Sequence, residues 1–305
     1  MDLTIAEAPK NGVAYWLVTN DGVRIRVGLW KPESCSRGTV LVFPGRTEYV
    51  EKYGRTVVAL TQMGFTCLVV DWRGQGLADR NGCQPMLGHV DHFSEYQEDV
   101  ATVVATMKDL ELPQPWNLVG HSLGACIGLR AVHNGLSISS CAFTSPMWRL
   151  SLPLLQRLMA RPVSGAARLL GLGRRFAPGT TGLSYVLQTD FDFNRLTSDP
   201  EMYRYFVKQA TNLTEHQIGG PSIGWLNQML KELRVLSRIP SPEIPCLTFF
   251  GDLDVLIDIE AVRHRMANWP NGKLNVIAGA KHDLLSERPA IRTRLLTDLN
   301  KFFAS

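Results

Sequence analysis

Residues Gly120-His121-Ser122-Leu123-Gly124 hold a serine between two glycines, each two positions away. A serine hydroxyl is a poor nucleophile near neutral pH, so a reactive serine needs a base to take its proton and a third group to orient that base. His282, in "VIAGAKHDLL", supplies a base of the right kind. Asp252, Asp254 and Asp258, all in "GDLDVLID", supply the orienting carboxylate, with the choice among them open on spacing alone. The chemistry these types allow together is acyl transfer through a serine ester. Its oxyanion needs two fixed N–H donors. Leu123, directly after the serine, and Arg46, directly after Gly45, are the expected ones.

Such groups react only if the chain brings them to one edge of the fold. The segment "AYWLVTNDGVRIRVGLW" reads as an antiparallel hairpin turning at Asn20-Asp21-Gly22, because Asp-Gly favours the positive φ of a tight turn. After Pro32 come short apolar runs: Thr39–Gly45, Phe65–Gly74, Trp116–Ser122, Ser140–Pro146, Cys246–Asp252 and Lys273–Gly279. Runs of this kind mark strands buried on both faces. Between them the pattern predicts helices over Tyr49–Met63, Tyr96–Leu110, Leu123–His133, Glu260–Asn268 and Pro289–Phe303. The expectation is an α/β fold with a mostly parallel, doubly wound sheet. Ser122, Asp254 and His282 each follow a strand, at the carboxyl ends where such sheets gather reactive groups. Ser122 also precedes a helix, the setting of a nucleophile elbow.

Residues 147–236 interrupt the alternation and predict a helical insertion, leaving 1–146 and 237–305 as the core. Its first thirty residues, Met147–Phe176, carry six arginines and no acidic residue. Interleaved with Leu and Met, these make either a solvated basic helix face or a surface that docks transiently on anionic lipid.

Other motifs read as structure. "GHVDHF", with His89, Asp91 and His92, has no further ligand cluster beside it and reads as a polar loop, so no metal is expected. "DWRGQG" lacks the spacing of a phosphate-binding loop and reads as a turn after its strand. Glu48, Asp190 and Asp192 are the carboxylates available if the substrate were an amide with a free α-amino group.

A formal net charge of +4 over 305 residues, without a run of like charges, argues against nucleic-acid binding. No apolar run reaches membrane-spanning length, and the acidic N-terminus does not resemble a secretory signal. Six cysteines, at 35, 67, 83, 126, 141 and 246, show no close pairing and are expected to be reduced. The expected compartment is the cytoplasm, with peripheral membrane contact under the second reading of the arginines.

Taken together, "DWRGQG", "GHSLGA", "GDLDVLID", "GAKHDLLSERPAIR", "NRLTSDPEMY" and "GGPSIGW" resemble the α/β-hydrolase branch that includes monoglyceride lipases, bacterial lysophospholipases and serine-aminopeptidase-like hydrolases. The likeness runs from Thr39 to the last helix. "FPGRTEYVEKYG" and "KHDLLSERP" are most similar to the bacterial lysophospholipases. The resemblance implies Ser122 as nucleophile, His282 as base, Asp254 as acid, a lid formed by the insertion, a small acyl-ester or lipid substrate and no cofactor. Pro44-Gly45 departs from the His-Gly usual in the lipases, but leaves the Arg46 N–H available.

Overall fold

The computed structural model describes residues 1–80 and 84–304. Cys83 lies outside them. Eight strands form one sheet: β1 (Val13–Val18), β2 (Arg24–Trp30), β3 (Thr39–Phe43), β4 (Thr66–Asp71), β5 (Trp116–His121), β6 (Ser140–Thr144), β7 (Cys246–Gly251) and β8 (Gly272–Ile277). Their order is β1-β2-β4-β3-β5-β6-β7-β8. β1 and β2 pair antiparallel around Gly22, whose φ of +80° suits glycine. β2 meets β4 antiparallel as well, and every later pairing is parallel.

The continuous apolar runs follow from burial on two faces. In β3, Leu41 and Phe43 join one core with Leu68, Leu118 and Met107, whereas Val40 and Val42 join the other with Val69, Val57 and Leu295. Successive side chains of a strand point to opposite faces, so both sets must be apolar. β8 departs from the expected burial on both faces. It is one of the two edge strands, and most of its residues are partly or fully exposed.

The helices are α1 (Leu3–Ala6), α2 (Gly54–Gln62), α3 (Glu95–Asp109), α4 (Leu123–His133), α5 (Leu154–Leu169), α6 (Tyr185–Gln188), α7 (Pro200–Asn212), α8 (Ile223–Leu236), α9 (Ile259–Ala267) and α10 (Pro289–Phe302). Helices α5 to α8 fill the segment between β6 and β7, and no strand of the sheet comes from it. Helix α8 nevertheless places Trp225, Met229, Leu233 and Leu236 in the same core as Leu41 and Phe43.

"DWRGQG" is a junction between the sheet and the loop after β3. Arg26 Nε donates to Asp71 Oδ2 at 2.8 Å, and its two terminal nitrogens donate to Glu51 at 2.8 and 2.6 Å. Asp71 also accepts from the N–H groups of Val50 and Leu77. Gly76 stands so close that a Cβ would lie 2.3 Å from the Asp71 carboxyl carbon.

Candidate active site

Strand β5 runs straight into α4, and Ser122 occupies the joint with φ +49° and ψ −110°, a conformation that L-residues rarely adopt. The two glycines make room for the reversal. A Cβ on Gly124 would lie 1.9 Å from the Phe43 carbonyl oxygen, and one on Gly120 would lie 2.9 Å from Ala125 Cα. Ser122 stands at the N-cap of α4 yet makes no capping bond with its side chain. Its hydroxyl faces another partner.

That partner is His282, in the loop after β8, with Nε2 3.0 Å from Ser122 Oγ. On the other side of the ring, Nδ1 lies 2.7 Å from Asp254 Oδ2, in the loop after β7. An ionised carboxylate only accepts hydrogen bonds, so Nδ1 carries the proton and Nε2 is free to accept from the serine. Burial pushes the Asp254 pKa up. The His282 contact and the N–H groups of Leu256 and Ile257 outweigh it and hold the carboxyl below its usual range.

The neighbouring acids are engaged elsewhere. Asp252 accepts from the Gly279 N–H at 2.7 Å, and Asp258 caps α9 and pairs with Arg149 at 2.6 Å. In "GHVDHF", His89 bonds Ser222 at 2.6 Å and Asp91 at 3.0 Å, joining its loop to the start of α8, while His92 is exposed.

A second cluster of polar groups lies beside the serine and is only partly legible in the sequence. Lys52 Nζ donates to Asp283 Oδ2 at 2.6 Å and to Glu48 Oε1. Tyr53 and the Gly45 N–H both donate to Glu48 Oε2. His121, the last residue of β5, has Nδ1 on Thr144 and Nε2 3.6 Å from Glu48, and its ring lies 5.0 Å from that of His282. Burial lowers its pKa, against the pull of Glu48 and Asp283. Burial raises the pKa of Glu48 and of Asp283, but Lys52 reverses this and holds both below the ordinary range. Glu48, His121 and Asp283 offer ligand atoms within 4.8 Å of one another. The Lys52 ammonium already supplies a cation to both carboxylates. Glu48 and Lys52 at i and i+4, and an acid next to His282, are the signals that point to this cluster in the sequence.

A cavity of about 480 Å³ opens over Ser122 and His282. Leu183, Val186, Leu196, Phe206 and Leu256 give it apolar walls, and Arg46 and Lys52 are among its polar ones. The Arg46 side chain is the unusual member. Its Nη2 donates to the Gly219 carbonyl at 2.6 Å, its guanidinium stacks 5.5 Å from the Trp225 ring, and its buried Nε has no partner. Burial lowers its pKa to about 10, so it stays charged at neutral pH without a carboxylate beside it among the described residues. The exposed Asp190 and Asp192 do not line the cavity.

The chain resembles known proteins over most of its length. The chain is 28% identical over 298 residues to "Lysophospholipase L2" of Escherichia coli K12, covering 93% of this chain and 85% of that protein. It is 27% identical over 278 residues to "Probable lysophospholipase L2" of Haemophilus influenzae, covering 90% of this chain and 86% of the relative. A soluble variant of monoglyceride lipase from Saccharomyces cerevisiae, solved with a substrate analog, shares the fold with a TM-score of 0.73 at 19% identity, covering 97% of this chain and 95% of that one. Residues 34–289 match the family described as "Serine aminopeptidase, S33", and the chain therefore belongs to this family of α/β-hydrolases.

Proposed function

We propose that this protein is a serine carboxylester hydrolase acting on single-acyl-chain lipids. The observation that carries the reading is the unbroken line Ser122–His282–Asp254, whose first two members line an apolar-walled cavity. In this mechanism Ser122 Oγ attacks the ester carbonyl as its proton passes to His282 Nε2. Asp254 keeps the imidazole oriented and stabilises the imidazolium. The tetrahedral intermediate collapses, the alcohol leaves with the proton from His282, and water releases the acyl group by the same steps in reverse.

The oxyanion rests between the N–H groups of Leu123 and Arg46. Neither N–H donates to a protein acceptor among the described residues. Gly124 presses the first turn of α4 against the carbonyls of Phe43 and Pro44, which brings the loop carrying Arg46 beside it. The N-terminal end of α4 adds its dipole. Residues 147–236 act as a lid, since they supply Leu183, Val186 and Phe206 to the cavity wall.

The Arg46 charge favours a phosphate-bearing head group over a plain glycerol. Relatives named as lysophospholipases support the same choice. The amide reading suggested by the family's name needs a carboxylate free to hold an α-amino group. Glu48 lines the cavity, but both of its oxygens are taken by Lys52, Tyr53 and the Gly45 N–H. The five described cysteines are free thiols, four of them buried, which suits a reducing compartment such as the cytoplasm.

Turnover of a lysophospholipid, a monoacylglycerol of equal chain length and an amino-acid anilide tests the reading. Faster cleavage of the lysophospholipid supports it. Cleavage of the anilide alone overturns it.

A further inference from the structure

Helix α5 is built inside out for a soluble protein. At 100° per residue, Leu154, Leu155, Leu158, Met159, Val163 and Leu169 fall on one side, and all six are exposed, as is Leu170 just beyond the helix. On the other side the helix packs on α8 through Ser164. Ser164 is buried there and accepts a hydrogen bond from Asn227 Nδ2 of α8 at 3.0 Å, and the same amide group donates to the Arg161 carbonyl. An apolar stripe of this length turned to water is the mark of a surface that meets a partner.

Beside the stripe runs a groove of about 1000 Å³ between α5 and α8. Four cations line it: Arg161, Arg168, Lys231 and Arg234. Arg168 donates to the Asp91 carbonyl, and no carboxylate pairs with Arg161, Lys231 or Arg234 among the described residues. The nearby acid Glu232 is held by Arg130 at 2.6 Å. Two buried polar atoms of residues that line the groove also lack partners, the donor Arg161 Nε and the acceptor Asn227 Oδ1.

We infer that this face docks on a bilayer containing anionic phospholipid, with α5 lying flat in the interface. The leucines enter the boundary between head groups and acyl chains, and the groove cations meet the lipid phosphates beside them. Apolar area and positive charge on adjoining surfaces are the two components of interfacial binding, and each basic residue near an anionic surface adds to it. Like charges packed in one groove repel each other until an anion arrives, so the complement is a polyanionic surface. Docking here would bring the protein to the layer in which single-chain lipids reside, yet it stands whatever ester the site cleaves.

Co-sedimentation with phosphatidylcholine vesicles, with and without phosphatidylglycerol, tests it at low salt. The wild-type chain is expected to bind the anionic vesicles at least tenfold more tightly, and to lose that preference as salt rises. Replacing Arg161, Lys231 and Arg234 together by Gln should weaken binding to anionic vesicles by roughly a hundredfold. Leu155→Ser with Leu158→Ser should weaken binding to both kinds of vesicle. Both variants should keep wild-type turnover of a short soluble ester and the wild-type unfolding midpoint, because these side chains lie away from Ser122 and are not core. Equal binding of wild type to the two vesicles, or variants that bind like wild type, would overturn the inference. So would a dimer in sedimentation velocity that the leucine variant dissolves, since the stripe would then belong to a second copy.

Discussion

Asp283, the residue next to His282, accepts a hydrogen bond from Lys52 Nζ at 2.6 Å, although 231 positions separate the two. The histidine loop is thereby tied to the segment that follows the Pro44-Gly45-Arg46 turn. Lys52→Met would leave Glu48 and Asp283 facing each other without their shared cation. Breaking a buried pair on one side costs about 3–5 kcal/mol. Chemical denaturation should show a loss of that order, with Lys52→Arg recovering part of it. A Lys52→Met protein as stable as wild type would mean that the cluster does not hold the loops together.

Three aspartates share one loop, but only Asp254 touches His282. Asp254→Asn keeps the shape and removes the charge that fixes the imidazole tautomer. Its kcat on a p-nitrophenyl ester should fall by roughly ten-thousandfold. Asp252→Asn, which alters only a turn contact to Gly279, should stay within about tenfold of wild type. Reversed effects would assign the acid to the wrong residue.

Glu51 sets an acid limit on stability. Burial pushes its pKa up, yet the His216 ring 3.2 Å away and the hydrogen bonds from Arg26 more than reverse this and bring it from 4.5 to about 2. A carboxyl whose folded pKa is depressed stabilises the protein above its unfolded pKa and loses that contribution as pH falls toward the folded value. The contribution is about 3 kcal/mol. Unfolding free energy should therefore drop between pH 4.5 and pH 2. Glu51→Gln should be less stable at neutral pH and show a shallower acid slope; an unchanged slope would place the acid sensitivity elsewhere.

Gly124 is a steric requirement, not a flexible joint. Gly124→Ala would force its Cβ against the Phe43 carbonyl oxygen at 1.9 Å. The expected result is a loss of about 3 kcal/mol or more, with ester turnover falling as the two sides of the oxyanion site move apart. Gly135→Ala is the control. It meets no neighbour, and its φ of +90° costs only about 1–2 kcal/mol.

The strands and the serine turn were legible because both follow from local rules. Helix α4 begins and ends at the residues the pattern indicates, Leu123 and His133, since a sharp glycine-lined turn precedes it. β8 looked like an interior strand because its inner side chains are apolar, and only the strand order reveals that nothing lies beyond it. The Lys52–Glu48–Asp283 cluster depends on a contact between distant segments, which composition and periodicity do not encode. The outward apolar face of α5 was hidden for a related reason. A helical pattern shows that one side is apolar, but not whether that side faces a core.

The central claim is that Ser122 is the nucleophile and His282 its base. Its most direct test is the initial hydrolysis rate of wild type and Ser122→Ala on p-nitrophenyl esters of increasing chain length, with both proteins shown to unfold at the same midpoint. The expected result is turnover by wild type, with a chain-length optimum set by the cavity, and a loss of roughly ten-thousandfold or more in Ser122→Ala. Full activity in the folded Ser122→Ala protein would contradict the account.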